Sequence, residues 1–314
     1  MFAVKSSYFL KPSNNLLGIL LMVANAFFMS LLYIIVKILT NRYYYSSNQV
    51  GLLYKLSILV VTLMSCLKLG FIHHLKTEKL FFHALRGFFS IMGSLSMFYA
   101  VSVLNVLNAA AISELTPSFM VVAGILVFKE KFTKHKMILI AGSLVGILFV
   151  KDFKILHKDI NEGYWYAFLA LIFWSINNVI IKKLTKTESS RSQLFYSSLF
   201  ASIFSLPLAY FKFSFDNFTS FTITRSDWPY LSVSSLILIL SAGLASLLHK
   251  VAFFKSYKIS DMSIVGPFDY LRLPFTAMFS CIILNENMPS ICSLFGYILI
   301  ILSGAYFIIY KSKN

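Results

Sequence analysis

The chain has 314 residues, of which 58% are hydrophobic and 13% are charged, and its formal net charge is +16. A soluble domain usually carries about 25% charged residues, so this chain cannot cover its surface with polar groups. The composition excludes a soluble globular protein and predicts an integral membrane protein.

Apolar runs long enough to cross a bilayer recur along the chain, since a membrane-spanning helix needs about 20 residues. The runs are continuously apolar, which favours helices over the alternating strands of a barrel. The first run is too long for a signal peptide and no cleavage site follows it. We predict ten spans, the fifth of them short, at about residues 15–36, 51–70, 81–103, 107–128, 137–151, 164–182, 193–211, 230–252, 262–284 and 291–310.

Lysine and arginine residues alternate between the segments that join the spans. With the amino terminus placed inside, nineteen of them fall in inner segments and seven in outer segments. Because positively charged residues favour the cytoplasmic side, both termini are predicted to be cytoplasmic. Topology and contacts with anionic lipid head groups thus explain the net charge, and we expect no nucleic-acid partner.

The two halves of the chain resemble each other. SLLYIIVKILT (30–40) aligns without gaps with SINNVIIKKLT (175–185), and AISELTPSFMVVAGILVFKE (111–130) aligns with PFDYLRLPFTAMFSCIILNE (267–286). Five spans in each half would invert the second copy relative to the first. We therefore predict an all-α membrane fold of two inverted five-helix repeats, with a substrate site near the midplane where helices are interrupted. The repeats are residues 1–156 and 157–314.

The ninth span contains the polar stretch GPFDYLRLPF (266–275). Asp269 and Arg272 are three residues apart, so they share a helix face and can pair. Pro267 and Pro274 each remove a helical donor and can bend the chain. Charges inside a bilayer persist when they are paired or face a cavity. Two interpretations stay open: the pair holds helices together, or it lines a pathway for substrate or protons.

Glu114 on the fourth span aligns with Tyr270 in the second half, so the halves differ chemically. A lone buried carboxylate is either protonated or paired. The candidate partners are Lys55 on the second span and Arg86 at the start of the third. Both a structural and a functional interpretation stay open for Glu114 and for Lys55.

Trp174, Asn177 and Asn178 recur at i, i+3 and i+4, so they share one face of the sixth span. They either pack and hydrogen-bond between helices or bind a polar ligand by stacking and amide contacts. Tyr99 and Tyr270 could add aromatic contacts to such a ligand.

Several other residues carry structural predictions. His249, near the end of the eighth span, is interpreted as an interfacial polar residue rather than a proton relay. Glu130 and Glu286 end the fourth and ninth spans, and we expect them to accept backbone N–H bonds from the next helix. Gly142 and Gly146 form a GxxxG motif, which suits close helix packing and could serve a homodimer interface.

The usual signatures of nucleotide hydrolysis and zinc chemistry are missing from the sequence, namely a P-loop, GxGxxG and HExxH. Cys66, Cys281 and Cys292 show neither a metal-ligand spacing nor a disulfide pattern. We therefore expect no catalytic residue, no metal and no cofactor. A membrane-embedded enzyme is a remote alternative, since acid–base side chains occur without a paired catalytic motif.

The chain resembles the EamA-type drug/metabolite transporter superfamily. The resemblance lies in the ten-span plan, in RGFFSIMGSLSMFYAVSVLNVLNAAAISELTPSFMVVAGILVFKE (86–130) and in SYKISDMSIVGPFDYLRLPFTAMFSCIILNE (256–286). Within this superfamily the chain is most similar to the S-adenosylmethionine uptake transporters of intracellular bacteria. That narrower resemblance lies in RGFF (86–89), PFDYLRLP and LFYSSLFASIFSLPLA (194–209).

The resemblance implies a multi-pass transporter of the inner membrane that moves a small polar metabolite by alternating access. S-adenosylmethionine is the expected substrate, and an amino-acid or small-metabolite exporter is the alternative. For S-adenosylmethionine, Glu114 and Asp269 would meet the positive groups, Arg272 the carboxylate and aromatic side chains the adenine. Uptake and efflux cannot be distinguished from these residues.

Overall fold

A computed structural model gives the fold, and it describes residues 15–68, 77–128, 132–150, 161–184, 188, 190–216, 220–260, 265–287 and 289–311. Eleven α-helices lie in this part of the chain, at the places of the ten predicted spans. In chain order they are α1 (Asn15–Asn41), α2 (Ser47–Lys68), α3 (Leu80–Val103), α4 (Val106–Ser113), α5 (Thr116–Phe128), α6 (Lys134–Val150), α7 (Gly163–Leu184), α8 (Ser190–Tyr210), α9 (Val233–Ile259), α10 (Arg272–Leu284) and α11 (Ile291–Lys311).

Two predicted spans are interrupted and the other eight are single helices. The fourth span is divided between α4 and α5. In the described part of the ninth, a 3-10 helix, Gly266–Leu271, precedes α10.

The bundle presents apolar side chains outward, which is the reverse of a soluble protein. In α9, Ile237 is 61% exposed and Leu240 is 56% exposed, whereas Ala242 and Ser246 are buried. Small residues inside allow close helix approach, and apolar residues outside suit lipid. Four helices of the described chain are long and apolar enough by length and composition to cross a membrane: Asn15–Asn41, Leu80–Val103, Gly163–Ile181 and Val233–Phe253. These features are those of a multi-pass membrane protein, as predicted.

The interruptions fall at equivalent positions of the two halves. Thr116 and Arg272 occupy the same column of the alignment, and they are the first residues of α5 and α10. A proline lies in the first turn of each helix, Pro117 and Pro274. The missing proline N–H is tolerated there because the first turn has no intrahelical acceptor for it. At the first interruption, Thr116 Oγ1 donates to the carbonyl oxygen of Ser113 at 2.5 Å.

Most large helix–helix contacts map onto another observed contact, or onto themselves, when each helix is replaced by its counterpart in the other half. α1 packs along α9, and α3 packs along α7. These two contacts are equivalent if α1 corresponds to α7 and α3 to α9. Two further large contacts, α2 with α8 and α6 with α11, each join a helix to its own counterpart, and the contact of α3 with α8 has its equivalent in that of α2 with α9. A two-fold relation between the halves would produce this set of contacts.

The glycines of the fifth span pack against α11 of the same chain. A Cβ atom on Gly146 would lie 2.8 Å from the carbonyl oxygen of Gly296 and 2.6 Å from Ile300, and one on Gly142 would lie 2.6 Å from Ser303. The GxxxG face of α6 is therefore occupied within the chain. The packing of Gly142 and Gly146 therefore gives no support to the predicted homodimer interface at this motif.

A short antiparallel hairpin, β1 (Phe211–Asp216) and β2 (Ser220–Arg225), connects α8 to α9. Phe211 pairs with Arg225, and Asp216 pairs with Ser220. These strands lie largely outside the predicted spans. The alternation of phenylalanine with polar residues in FKFSFD is the strand signal at this place.

We expect Gly146→Val to lower the melting midpoint of the purified protein in detergent. Its added methyl groups would meet the Gly296 backbone, and overpacking of this kind costs about 1–3 kcal/mol. The matched control is Ala141→Val, because Ala141 is an exposed residue of the same helix. Equal midpoints for the two variants would contradict the packing of α6 on α11.

Candidate functional site

The charged residues of the two interrupted spans meet inside the bundle. Arg272 Nε donates to Glu114 Oε1 at 2.6 Å, and Arg272 Nη2 lies 3.7 Å from Asp269 Oδ2. The predicted contact between Asp269 and Arg272 is therefore confirmed. The predicted pairing of Glu114 with Lys55 or Arg86 is wrong. The reason is that α4 packs against α10, which brings Glu114, immediately after α4, to the first residue of α10.

Hydrogen bonds extend this ion pair to α1 and α9. Asn25 Nδ2 donates to Asp269 Oδ1 at 2.7 Å, and Asn25 Oδ1 lies 2.8 Å from His249 Nδ1. Because a carboxylate beside Arg272 accepts, the amide nitrogen faces Asp269 and the amide oxygen faces the histidine. His249 must therefore carry a proton on Nδ1.

The interfacial interpretation of His249 is corrected by this bond. The predicted eighth span ends at about residue 252, but α9 continues to Ile259. His249 consequently lies well inside the helix, against α1. We call the connected residues His249, Asn25, Asp269, Arg272 and Glu114 the polar network.

A cavity of about 250 Å³ lies between α2, α3, α7, α8 and α9. Three cationic side chains line it, from Lys55, Arg86 and Lys250, together with the amides of Asn177 and Asn178. The structure thus brings together three of the predicted site residues, Lys55 and the two asparagines. We call this space the basic cavity.

The basic cavity shares a wall with the polar network, because His249 lines it as well. Other lining residues lie close to helix ends. Ile181 is three residues from the end of α7, and Leu194 is four residues from the start of α8. In the predicted orientation these ends lie on the cytoplasmic side of the membrane.

Two of the cavity cations, Lys55 and Arg86, are hydrogen-bonded to neutral groups. Lys55 Nζ donates to Ser90 Oγ at 3.0 Å. Arg86 Nη1 donates to the backbone oxygen of Gln193 at 2.9 Å and to its Oε1 at 3.1 Å. Within the described ranges, no carboxylate forms an ion pair with Lys55, Arg86 or Lys250. Among the described residues, the positive charge of the cavity therefore has no counter-charge.

The predicted aromatic site residues lie elsewhere in the described structure. Trp174 packs so closely on Gly93 that a Cβ there would collide with the indole. Tyr99, near the other end of α3, donates its hydroxyl to Glu162. Tyr270 is buried against α11, where its ring lies next to Gly304. None of these three side chains lines the basic cavity.

Four residues of the site are absent from the predicted set of substrate or coupling residues: Asn25, Arg86, His249 and Lys250. Lys250 lies near the end of the predicted eighth span, 230–252, where a lysine usually marks the cytoplasmic boundary of a span. Its signal is that the apolar pattern continues beyond it to Phe253 and Phe254. Asn25 stands inside the first apolar run, and burying an amide without a partner costs free energy. An asparagine inside an apolar run therefore indicates a residue with a polar partner elsewhere in the bundle.

Polar contacts also join the chain at the opposite end of the bundle. Asn285 ends α10 with a φ of 53°, a left-handed conformation that asparagine tolerates. Glu286 then accepts the backbone N–H of Val106 at 3.1 Å. Burial raises the pKa of the Glu286 carboxyl, and the Val106 N–H and the Lys37 ammonium oppose that rise.

The prediction for Glu286 is correct about the type of bond and wrong about the helix. The bond goes to the start of α4 in the first half rather than to the next helix, α11. The left-handed residue just before Glu286 redirects the chain at the end of α10. Glu130, for which the same bond is predicted, lies outside the described residues.

The model of the EamA-like transporter family matches residues 16–151 and again residues 161–310. This chain belongs to the EamA-like transporter family. It is thus a membrane transporter, as the sequence resemblance predicts. A crystal structure with 13% identity covers 97% of the chain and all of its own, with a TM-score of 0.60, which shows a shared fold.

The relatives with detectable sequence similarity that are described next are also named as transporters. An S-adenosylmethionine uptake transporter of Rickettsia prowazekii (strain Madrid E) is 28% identical over 240 residues, 76% of this chain and 75% of the relative. The one from Rickettsia bellii (strain RML369-C) is also 28% identical, over 76% of each chain. A riboflavin transporter of Vibrio cholerae serotype O1 is 24% identical over 86% of this chain and 88% of the relative. The predicted resemblance to S-adenosylmethionine uptake transporters is confirmed.

In this EamA-like transporter the polar network joins the two segments that the family model matches. Asn25 and Glu114 belong to the first segment, whereas His249, Asp269 and Arg272 belong to the second. The contacts of His249 with Asn25, of Asn25 with Asp269 and of Arg272 with Glu114 therefore all cross between the segments.

Glu114→Gln is expected to lower the melting midpoint of the purified protein more than Asp269→Asn does. Removing one partner of a buried ion pair costs about 3–5 kcal/mol, because the remaining charge stays buried. The Glu114 side chain is 1% exposed, whereas that of Asp269 is 27% exposed and farther from the guanidinium. Asp227→Asn, at an exposed carboxylate before α9, is the matched control. A larger loss for Asp269→Asn than for Glu114→Gln would contradict the assigned pairing.

Proposed function

We propose that this protein is a secondary transporter of the inner membrane that takes up S-adenosylmethionine by alternating access. The observation that carries the proposal is the 28% identity with the Rickettsia transporters over 240 residues. The sequence contains no nucleotide-hydrolysis motif. An ion gradient or exchange for another metabolite therefore supplies the free energy.

The proposed architecture is two inverted five-helix repeats, residues 1–156 and 157–314, with both termini in the cytoplasm. Three observations support it: the family model matches each half separately, the interruptions begin α5 and α10 at equivalent positions, and the helices pack in exchangeable pairs. Inverted repeats place substrate and coupling sites near the midplane, at discontinuous helices.

The proposed substrate contacts are the residues of the basic cavity. Lys55, Asn177 and Asn178 supply hydrogen-bond donors and acceptors there. In the proposed orientation the cavity lies on the cytoplasmic side of the bundle, which suits a state that faces the cytoplasm.

The proposed coupling group is the ion pair of Glu114 and Arg272 with Asp269. It is buried, it joins the two halves, and it reaches the cavity through His249. Trp174, Tyr99 and Tyr270 complete the proposed set, as aromatic contacts for a state in which the pathway extends beyond the present cavity.

An amino-acid or small-metabolite exporter is the second candidate. The 24% identity with a riboflavin transporter over 86% of the chain supports considering substrates other than S-adenosylmethionine, since that relative is named for a different metabolite. Direction follows gradients and relative affinities. Uptake and efflux assays with loaded cells therefore belong in the same experiment.

The proposed orientation places Cys292, exposed at the start of α11, on the outer face of the membrane. With Cys66 and Cys281 changed to serine, we expect a membrane-impermeant maleimide to label Cys292 in intact spheroplasts. The control is Thr133→Cys with Cys292→Ser, since Thr133 is exposed between α5 and α6. That position should react only after permeabilisation. The opposite pattern would show that the termini are outside.

Bacterial cells that express the chain should accumulate labelled S-adenosylmethionine in a saturable manner, and excess unlabelled compound should abolish the uptake. Asn178→Ala removes a cavity amide and should raise KM about tenfold, as the loss of a hydrogen bond to a charged group would do. Ile176→Ala, at an exposed residue of the same helix, should leave KM unchanged. Uptake equal to that of empty-vector cells, with the protein present in the membrane, would exclude this substrate.

A further inference from the structure

The basic cavity combines cations from three helices, two of the first half of the chain and one of the second. Lys55 of α2 is 2% exposed and Arg86 of α3 is 5% exposed, and partly buried Lys250 of α9 completes the set. In the described part of the chain every ion pair involves other residues. Positive charge inside a membrane protein persists when it faces a cavity that water or a ligand can fill.

These cations have hydrogen-bond donors left over. The Lys55 ammonium has three donors, of which one reaches Ser90 Oγ, and it also lies 4.8 Å from the centre of the Tyr54 ring. Arg86 directs Nη1 to Gln193, while its Nε is buried without a partner among the described residues. The cavity therefore offers both charge and unused N–H groups.

An anionic ligand group would neutralise the charge of the cavity and accept the unused N–H donors. Like charges in one cavity repel each other, and a negatively charged group would neutralise them and accept the free donors. A guanidinium and an ammonium both bind carboxylates and phosphates by charge-assisted hydrogen bonds. Arg272 is not available for this role in the present state, because Glu114 and Asp269 hold it.

We propose that the basic cavity binds the anionic group of the transported molecule, a carboxylate or a phosphate, through Lys55, Arg86 and Lys250. The inference rests on the proposed transport function and specifies which end of the substrate the cavity holds. For S-adenosylmethionine it moves the carboxylate from Arg272 to these three cations.

The size of the cavity fits one end of a metabolite. Its volume of about 250 Å³ is below the range of roughly 300–1,000 Å³ that is usual for complete ligand pockets. Asn177 Oδ1 is buried without a partner among the described residues, and it lines the same space. It provides an acceptor for a donor beside the anion, such as the ammonium group of an amino acid.

The test uses matched probes that differ by the anionic group. The purified full-length protein in detergent is titrated with S-adenosylmethionine and with its decarboxylated analogue, and with flavin mononucleotide and riboflavin. The shift of the melting midpoint gives each Kd. We expect the acid-bearing member of at least one pair to bind about tenfold more tightly or better, as the loss of a charge-assisted hydrogen bond predicts. The first pair identifies a carboxylate and the second a phosphate.

Lys250→Gln is the principal variant, because Lys250 is only partly buried and the change removes the charge while leaving a polar side chain that is one atom shorter. It should abolish the preference for the acid-bearing probe, and Lys55→Gln should do the same. Lys255→Gln removes the same charge from an exposed position of the same helix, so it should keep the preference. The proposal is overturned if neither acid-bearing probe is preferred, or if the preference survives in both cavity variants.

The outcomes separate this inference from the proposed substrate. Saturable S-adenosylmethionine uptake that the decarboxylated analogue inhibits equally well would overturn the anion site and leave the transport proposal standing. A preference for flavin mononucleotide that depends on Lys250, together with no S-adenosylmethionine uptake, would support the anion site and exclude that substrate.

Discussion

The core of a bilayer contains no water to bond a backbone group or a charged side chain, so the protein must satisfy both from its own residues. The two interrupted helices obey this constraint with hydroxyl groups. Ser113 Oγ donates to the carbonyl oxygen of Ala110 at 2.6 Å near the first interruption, and Ser30 Oγ lies 3.0 Å from the carbonyl oxygen of Arg272 at the second. At the same position, the charges of Glu114, Asp269 and Arg272 neutralise one another. Both interruptions therefore lie where the protein's own side chains satisfy the freed backbone and charged groups.

The polar network and the basic cavity differ in whether their buried charges have partners of opposite charge. In the network, each charged group has an oppositely charged partner, and the amide of Asn25 bridges the remaining gap. In the cavity, Lys55 and Arg86 have only neutral partners among the described residues. A satisfied network gives rigidity and a defined geometry. An unsatisfied cluster is stable only with a ligand or water, so these two regions have different roles although they share His249.

The sequence was sufficient for features that depend on local composition. Apolar runs place the helices, and the prolines at 267 and 274 predict the irregular backbone of the ninth span because their effect on the backbone is local. Spacing alone predicts the contact of Asp269 with Arg272, since both lie on one turn. The partner of Glu114 could not be derived in this way, because it depends on how α4 packs against α10. Lys250 shows a related limit: a lysine near the end of the predicted eighth span is typical of the cytoplasmic boundary, and only the continuation of α9 to Ile259 places it well inside the helix.

The strength of the contacts between the halves differs between the centre and the rim of the bundle. Breaking the buried pair of Arg272 and Glu114 costs about 3–5 kcal/mol, whereas an exposed hydrogen bond such as that of Tyr99 with Glu162 contributes only about 0.5–1.5 kcal/mol. Both contacts join the first segment matched by the family model to the second. Motion between the halves would separate the rim at the lower free-energy cost and keep the central pair. In the proposed transport cycle the central pair would then serve as the coupling group, because it stays between the halves while contacts at the rim separate.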